Sequence, residues 1–251
     1  MNDKRRGHHV VVRTHGGLGN QIFQILYARL LANGREPELV HDANYRHAFG
    51  LNSAFADHPE PGSFARLISR ARLPKLLERA HLSARGVVTI GRTTFADAYF
   101  QGTHFYDAFR PDAIAREIGR IRKELQVRPD VIHGDELHHI RLGDFFNDEQ
   151  SQRTYLAERF TELPVGAFII TNREDLVEEA IRSPELVRQN LSIVPSGSAS
   201  ADETLRLMSG YRTIVSNDST LAFWAACLAG RRLITPSQLL NSLFDQLRAA
   251  D

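Results

Sequence analysis

One cysteine, Cys227, stands in 251 residues. A lone thiol excludes an internal disulfide and any zinc site built on several cysteines. It lies in an apolar run, the usual setting of a buried and inert thiol. An excess of one charge is missing as well. Lys and Arg number 31 against 30 Asp and Glu, a formal net charge of +1, so no global field marks a nucleic-acid binder. No apolar stretch approaches the roughly 20 residues a membrane-spanning helix needs. The N-terminus enters Val10-Val11-Val12 and breaks at Arg13, short of the about 7–15 apolar residues of a signal peptide. These absences lead to the expectation of a soluble, cytoplasmic protein in a reducing compartment. There is no internal repeat and no low-complexity tract. What is present is ordinary globular material, 42% hydrophobic and 24% charged, enough for a real core without a metal or disulfide to supplement it.

Along the chain, β-branched runs alternate with helical stripes, the pattern of an α/β protein. Residues 9–14 read as a buried strand and are followed by a glycine-rich turn. A helix is predicted over 21–33, closed by Gly34, and a strand over 37–40. Strands are predicted at 87–90 and 98–100, and an amphipathic helix at 112–125. Residues 127–134, with Pro129, form the expected crossover, so the predicted domains are 1–128 and 129–251. The second half repeats the alternation, with strands at 138–141, 168–171, 192–194 and 213–215. Helices are predicted at 175–182, 201–209 and 219–228. Between 63 and 92 the basic residues Arg66, Arg70, Arg72, Lys75, Arg79, Arg85 and Arg92 face only Glu78. That segment reads either as a surface helix with a solvated basic face or as a patch resting on an anionic inner membrane surface.

The turn Gly16-Gly17-Leu18-Gly19-Asn20-Gln21 lacks the G-x-G-x-x-G spacing of a dinucleotide site and the Lys-Ser/Thr of a P-loop. Its glycines let another molecule approach the backbone, and the amide of Asn20 suits a sugar hydroxyl or a phosphate oxygen. A tight βα turn with Asn20 as helix cap is the structural alternative. The run Gly16 to Gln24 resembles the N-terminal motif of the α-1,2-fucosyltransferase family, G-G-L-G-N-Q-M-F-Q. Eight of nine positions agree, with Ile22 in place of Met.

Two further segments continue the resemblance. His139-Ile140-Arg141-Leu142-Gly143-Asp144 lies at a predicted strand end, where open α/β sheets place ligands. An arginine there can hold phosphate oxygens in a bidentate fork and stabilise charge growing on a leaving phosphate. Asp144 could orient Arg141, and an ordinary Arg–Asp pair is the alternative. The segment resembles the family's H-x-R-R-x-D motif, with Leu142 replacing the second arginine. Asp218-Ser219-Thr220 and Trp224-Ala225-Ala226 resemble its third motif, N-S-[ST]-F-[SG]-x-W-[AG]-A, with Leu221 and Ala222 as departures. Hydroxyls at that helix start make an anion site or simply a helix cap. Asn172-Arg173-Glu174-Asp175 after the 168–171 strand resembles the family's strand-then-acidic segment, loosely.

The resemblance implies a GT-B fold, two Rossmann-like domains facing a central cleft, with the acceptor on the first and the donor nucleotide on the second. It implies inverting transfer of L-fucose from GDP-fucose to a glycan hydroxyl, α-1,2 to a terminal galactose of a polysaccharide or lipopolysaccharide precursor. No metal and no cofactor is implied, and no D-x-D motif is present. Arg141, Ser219 and Thr220 would stabilise the departing GDP. His139 would contact the nucleotide, Asn172 and Asp218 would join the donor site, and Gly17 and Asn20 would close it from the first domain. Asp144, Asp148, Glu149 and His15 are the candidates for a general base. The alternatives are a nucleotide- or glycan-binding protein without turnover and a transferase of another GDP-sugar. The missing fingerprint counts against an NAD(P) enzyme.

Overall fold

The computed structural model describes residues 9–41, 67, 86–142, 146–184, 186–196 and 199–250. Asp144 and most of the basic 63–92 segment lie outside them. By its internal contacts the chain divides into two units, Met1–Leu125 with Asp245–Asp251, and Gln126–Phe244. The division falls at 125/126 rather than 128/129, and the end of the C-terminal helix belongs with the first unit. Each unit carries its own sheet, and the protein is α/β with Rossmann-like parallel strands.

In the first unit, Val10, Val11 and Val12 are buried in strand β1 (His9–Thr14). A continuous apolar run is what a parallel strand covered on both faces requires. Helix α1 (Leu18–Ala32) leads to β2 (Glu38–His41), and β3 (Val87–Ile90) forms a hairpin with β4 (Thr93–Ala96). The order is β2-β1-β4-β3, with β1 parallel to both neighbours. The predicted strand at 98–100 is corrected to β4. Phe100 instead takes a positive φ of 53°, its ring stacked on Tyr27 at 4.2 Å and its carbonyl accepting from the Tyr106 hydroxyl at 3.0 Å. Aromatic packing outweighs the extended preference of those residues there. Helix α2 (Pro111–Glu124) opens on a proline and buries Ile114, Ile118 and Ile121. Its last residue, Glu124, receives the Arg29 guanidinium of α1 at 2.8 Å, and Arg29 is only 1% exposed. A charge that deep needs such a partner.

The second unit begins with β5 (Gly134–Ile140) and α3 (Glu149–Thr161). There follow β6 (Phe168–Thr171), α4 (Glu174–Ile181), β7 (Ser192–Ile193), α5 (Ala201–Ser209) and β8 (Tyr211–Ser216). Helix α6 (Thr220–Ala229), β9 (Arg232–Ile234) and the first part of α7 (Gln238–Ala250), as far as Phe244, complete it. All strand pairs are parallel, in the order β7-β6-β5-β8-β9. The chain therefore lays two strands on one side of β5, then crosses to the other side with β8. The crossover segment is fastened within this unit by Arg231, which donates to the carbonyls of Pro129, Val131 and Ser209. In such sheets ligands sit beyond the carboxyl ends of the strands where the order reverses, here β5 and β8.

Candidate functional site

His139 and Arg141 come from the carboxyl end of β5, and Ser216 to Thr220 from the end of β8. The register pairs His139 with Ser216, and the imidazole Nδ1 lies 3.2 Å from the Ser216 hydroxyl. Two segments 77 residues apart are thus joined at the switch point. His139 is 7% exposed. Burial, and then the positive charge of Arg141, push its pKa down to about 4, so the ring is neutral at physiological pH.

That shift gives a signed prediction. Between pH 6.5 and about 4 the unfolded chain holds a proton on this side chain that the folded one excludes. Stability from His139 is complete above the upper value and lost as pH falls through the lower, a change of about 3 kcal/mol. Urea unfolding of wild type and His139→Gln across that window should show a flatter profile in the variant. Parallel profiles would remove His139 from the pH response.

Beyond Ile140 the strand ends, and the backbone of residues 141 and 142 is held between two asparagine side chains. Asn217 accepts from the Arg141 N–H and donates to its carbonyl, both at 3.1 Å. Asn172, after β6, does the same for Leu142 at 2.8 and 3.2 Å. Each amide replaces a neighbouring strand's backbone. Alternation then sends successive side chains to opposite faces. Leu142 is 0% exposed and packs in the core with Ile140, Leu156, Phe160, Leu176 and Val177, whereas Arg141 is part-exposed beside His139. Where the family motif has its second arginine, this chain has a core residue.

At the β8 turn, Asp218 adopts a positive φ of 54° and accepts from the Thr235 hydroxyl at 2.9 Å. Ser219 is buried and caps α6, its hydroxyl accepting from the Ala222 N–H at 3.4 Å. Thr220 is the first residue of that helix. Two of the base candidates are engaged elsewhere. Asp148 caps α3 by accepting from the Ser151 N–H at 2.7 Å, which lowers its pKa. Glu149 pairs with Arg153 at 2.9 Å.

In the first unit, α1 starts at Leu18 with Gly17 as its N-cap residue, so Asn20 sits in the first turn and is no cap. Its Oδ1 accepts from Gln101 at 2.7 Å. Gly16 has a φ of 77°, and a Cβ there would lie 2.6 Å from Asn20 Nδ2 and 3.3 Å from the Tyr99 ring. Glycine is needed at that position both for conformation and for space. At Gly17 a Cβ would meet nothing within 4 Å. His15 is clamped by Gln24, whose Oε1 accepts from the His15 N–H at 2.9 Å while its Nε2 lies 3.1 Å from Nδ1. With the Gln24 amide in this orientation Nδ1 accepts from its N–H, and a buried carboxylate oxygen of Asp97 lies 3.8 Å from the same nitrogen. Tyr99 covers its ring with centroids 4.7 Å apart.

Sequence reasoning passed over Asn217 and Gln24 as site residues, although Gln24 lies inside the first motif and Asn217 directly precedes the third. Tyr99 and Gln101 carried no local signal. Among the described residues, no group of three or more His, Cys, Asp and Glu is placed to hold a metal ion. None of the helices there is long and apolar enough to cross a membrane.

No protein-family profile matches the chain, and no curated protein does. Solved structures that show partial similarity include the following three. Fucosyltransferase NodZ from Bradyrhizobium shares 16% identity over 89% of this chain and 93% of its own, with a TM-score of 0.48. A mutant of Arabidopsis thaliana FUT1 in complex with GDP shares 13% over 95% of this chain and 73% of its own, at 0.49. The E. coli heptosyltransferase WaaC with ADP shares 13% over 92% of this chain and 89% of its own, at 0.45. At these identities, with TM-scores below 0.5, the overlaps transfer no activity to this chain, and its α/β architecture rests on its own two sheets.

Proposed function

We propose that the protein is a GT-B glycosyltransferase that moves L-fucose from GDP-fucose to a hydroxyl of a glycan acceptor, with inversion. The favoured acceptor is a terminal galactose of a cell-surface polysaccharide or lipopolysaccharide precursor, linked α-1,2. One observation carries the proposal. The second motif and the strand end that leads into the third, distant in sequence, meet at the carboxyl ends of β5 and β8 through His139 and Ser216, where an α/β sheet binds its ligand. The glycine motif occupies the equivalent strand end in the first unit.

In the proposed reaction the acceptor oxygen attacks the anomeric carbon, the bond to the diphosphate breaks, and the hydroxyl proton departs. Charge accumulates on the leaving GDP, and Arg141 meets it with a positively charged guanidinium. Thr220 and the first turn of α6 add hydrogen-bond donors at a positive helix end. The neutral imidazole of His139 contacts the nucleotide without bringing charge. Asp144 is the proposed base, since Asp148 and Glu149 are engaged as cap and ion-pair partner.

The test is a donor panel in EDTA: GDP, GDP-fucose, GDP-mannose and NADH by calorimetry, then GDP release with galactose-terminated acceptors. Binding of GDP and turnover of GDP-fucose support the proposal; binding of NADH alone overturns it. Leu142 in place of the second motif arginine favours a second possibility, a chain that binds a GDP-sugar without turnover. GDP binding with no release would select it. We further propose peripheral contact of the 63–92 segment with an anionic membrane surface. Exchanging Arg66, Arg70 and Arg72 for Glu should abolish binding to phosphatidylglycerol vesicles, and an unchanged affinity would refute that contact.

A further inference from the structure

We propose that Asn217 and Asn172 are positioning residues that set the Arg141 guanidinium for the donor diphosphate, a role that rests on the GDP-sugar reading above. The geometry is specific. Arg141 lies one residue past the last paired residue of β5, Ile140, where an unpaired strand end would be free to swing. Two amides, one from each neighbouring strand's exit loop, hold the two consecutive residues there. Asn217 closes a reciprocal pair on Arg141 with both bonds at 3.1 Å, and Asn172 closes one on Leu142 at 2.8 and 3.2 Å.

Asparagine is the suitable side chain for this. It offers one donor and one acceptor in a plane, as a peptide does, on a stem short enough to stay rigid. Aspartate lacks the donor, and glutamine adds a rotatable bond. The anchoring is completed by Leu142, whose buried side chain fixes the register of the segment from the core side. The segment is therefore tied through its backbone on both edges and through Leu142 underneath, with the part-exposed Arg141 next to it. Asn172 thus acts through the backbone that carries the arginine, and Asn217, from the loop that also presents Ser219 and Thr220, ties Arg141 to the second half of the site. Preorganisation of this kind matters because a displacement of about 1 Å in a catalytic group can cost a hundredfold in rate.

The experiment compares wild type, Asn217→Ala, Asn217→Asp, Arg141→Ala and the Asn217→Ala/Arg141→Ala double variant, each first shown folded by its unfolding midpoint. Amide hydrogen exchange is followed at Arg141 and Leu142, and GDP affinity is titrated in parallel. Asn217→Ala should speed exchange at the Arg141 amide, while Asn217→Asp, which keeps the acceptor for that N–H, should retain protection. GDP affinity should fall about five- to tenfold in Asn217→Ala and not fall further when the change is made in Arg141→Ala, the non-additivity expected of residues acting as one unit. Unchanged exchange at Arg141 would overturn the clamp whatever GDP does. Faster exchange with an equal loss in both backgrounds would make Asn217 a direct donor contact and overturn the positioning role. If exchange responds but wild type binds no GDP, the GDP-sugar reading has failed, and the assignment to the diphosphate falls with it.

Discussion

Leu142→Arg, which places at this position the second arginine of the motif that the segment resembles, is expected to destabilise the second unit by roughly 3–5 kcal/mol. The side chain at this position is fully buried, and its packing partners Ile140, Leu156, Phe160, Leu176 and Val177 are all apolar. A guanidinium placed there would lose its hydration with none of these neighbours able to accept a hydrogen bond. The chain cannot turn it outward at low cost. Residue 142 is held at both its N–H and its carbonyl by Asn172, and rotating it by one position would send Arg141 into the core in its place. The control is Leu142→Met, a swap of nearly conserved volume that should cost less than about 1.5 kcal/mol. Urea unfolding of both variants checks this. Equal midpoints for the arginine variant and wild type would mean that the side chain reaches solvent and that the motif position does not face the core.

Arg141→Ala is expected to weaken GDP binding about tenfold to a hundredfold. Loss of one charge-assisted phosphate contact corresponds to roughly 1.5–3 kcal/mol. The variant carries a second, independent observable. Arg141 is the charge that adds to burial in depressing the His139 pKa, so its removal should raise that pKa, though only in part because burial persists. Calorimetry reads the first effect and the imidazole resonances read the second. A rise in the His139 pKa with unaltered GDP affinity would place Arg141 beside His139 but off the diphosphate. No change in either would separate Arg141 from the site altogether.

Much of the local structure was legible from residue order. The Val10–Val12 run, the helical spacing of α1, the proline and acidic start of α2, and the apolar α6 after a Ser/Thr turn are short-range patterns. Strand and helix geometry imposes them directly. Helix α3 was not anticipated because only Gln152, Leu156 and Phe160 are buried along it, a stripe too thin to stand out from its polar surroundings. The misplaced strand at 98–100 has another cause. Its residues have strand propensity, but Tyr27, far from them in sequence, and Tyr106, shortly after them, hold Phe100 at a positive φ.

The site divides in the same way. By itself the sequence determined which residue types stand after which strands: glycines and Asn20 after β1, His139 and Arg141 at the end of β5, Asp218 to Thr220 after β8. Those are facts of neighbours along the chain. The tertiary structure alone decided that β8 lies against β5, so that Ser216 meets His139. It alone decided that Leu142 faces the core and that Asn172 and Asn217 grip the backbone from either side. The physical reason is that periodicity records only which face of its own element a residue occupies. Which strands become neighbours depends on the crossovers of the whole chain, and a side chain's backbone partner across a sheet is fixed only once that order exists.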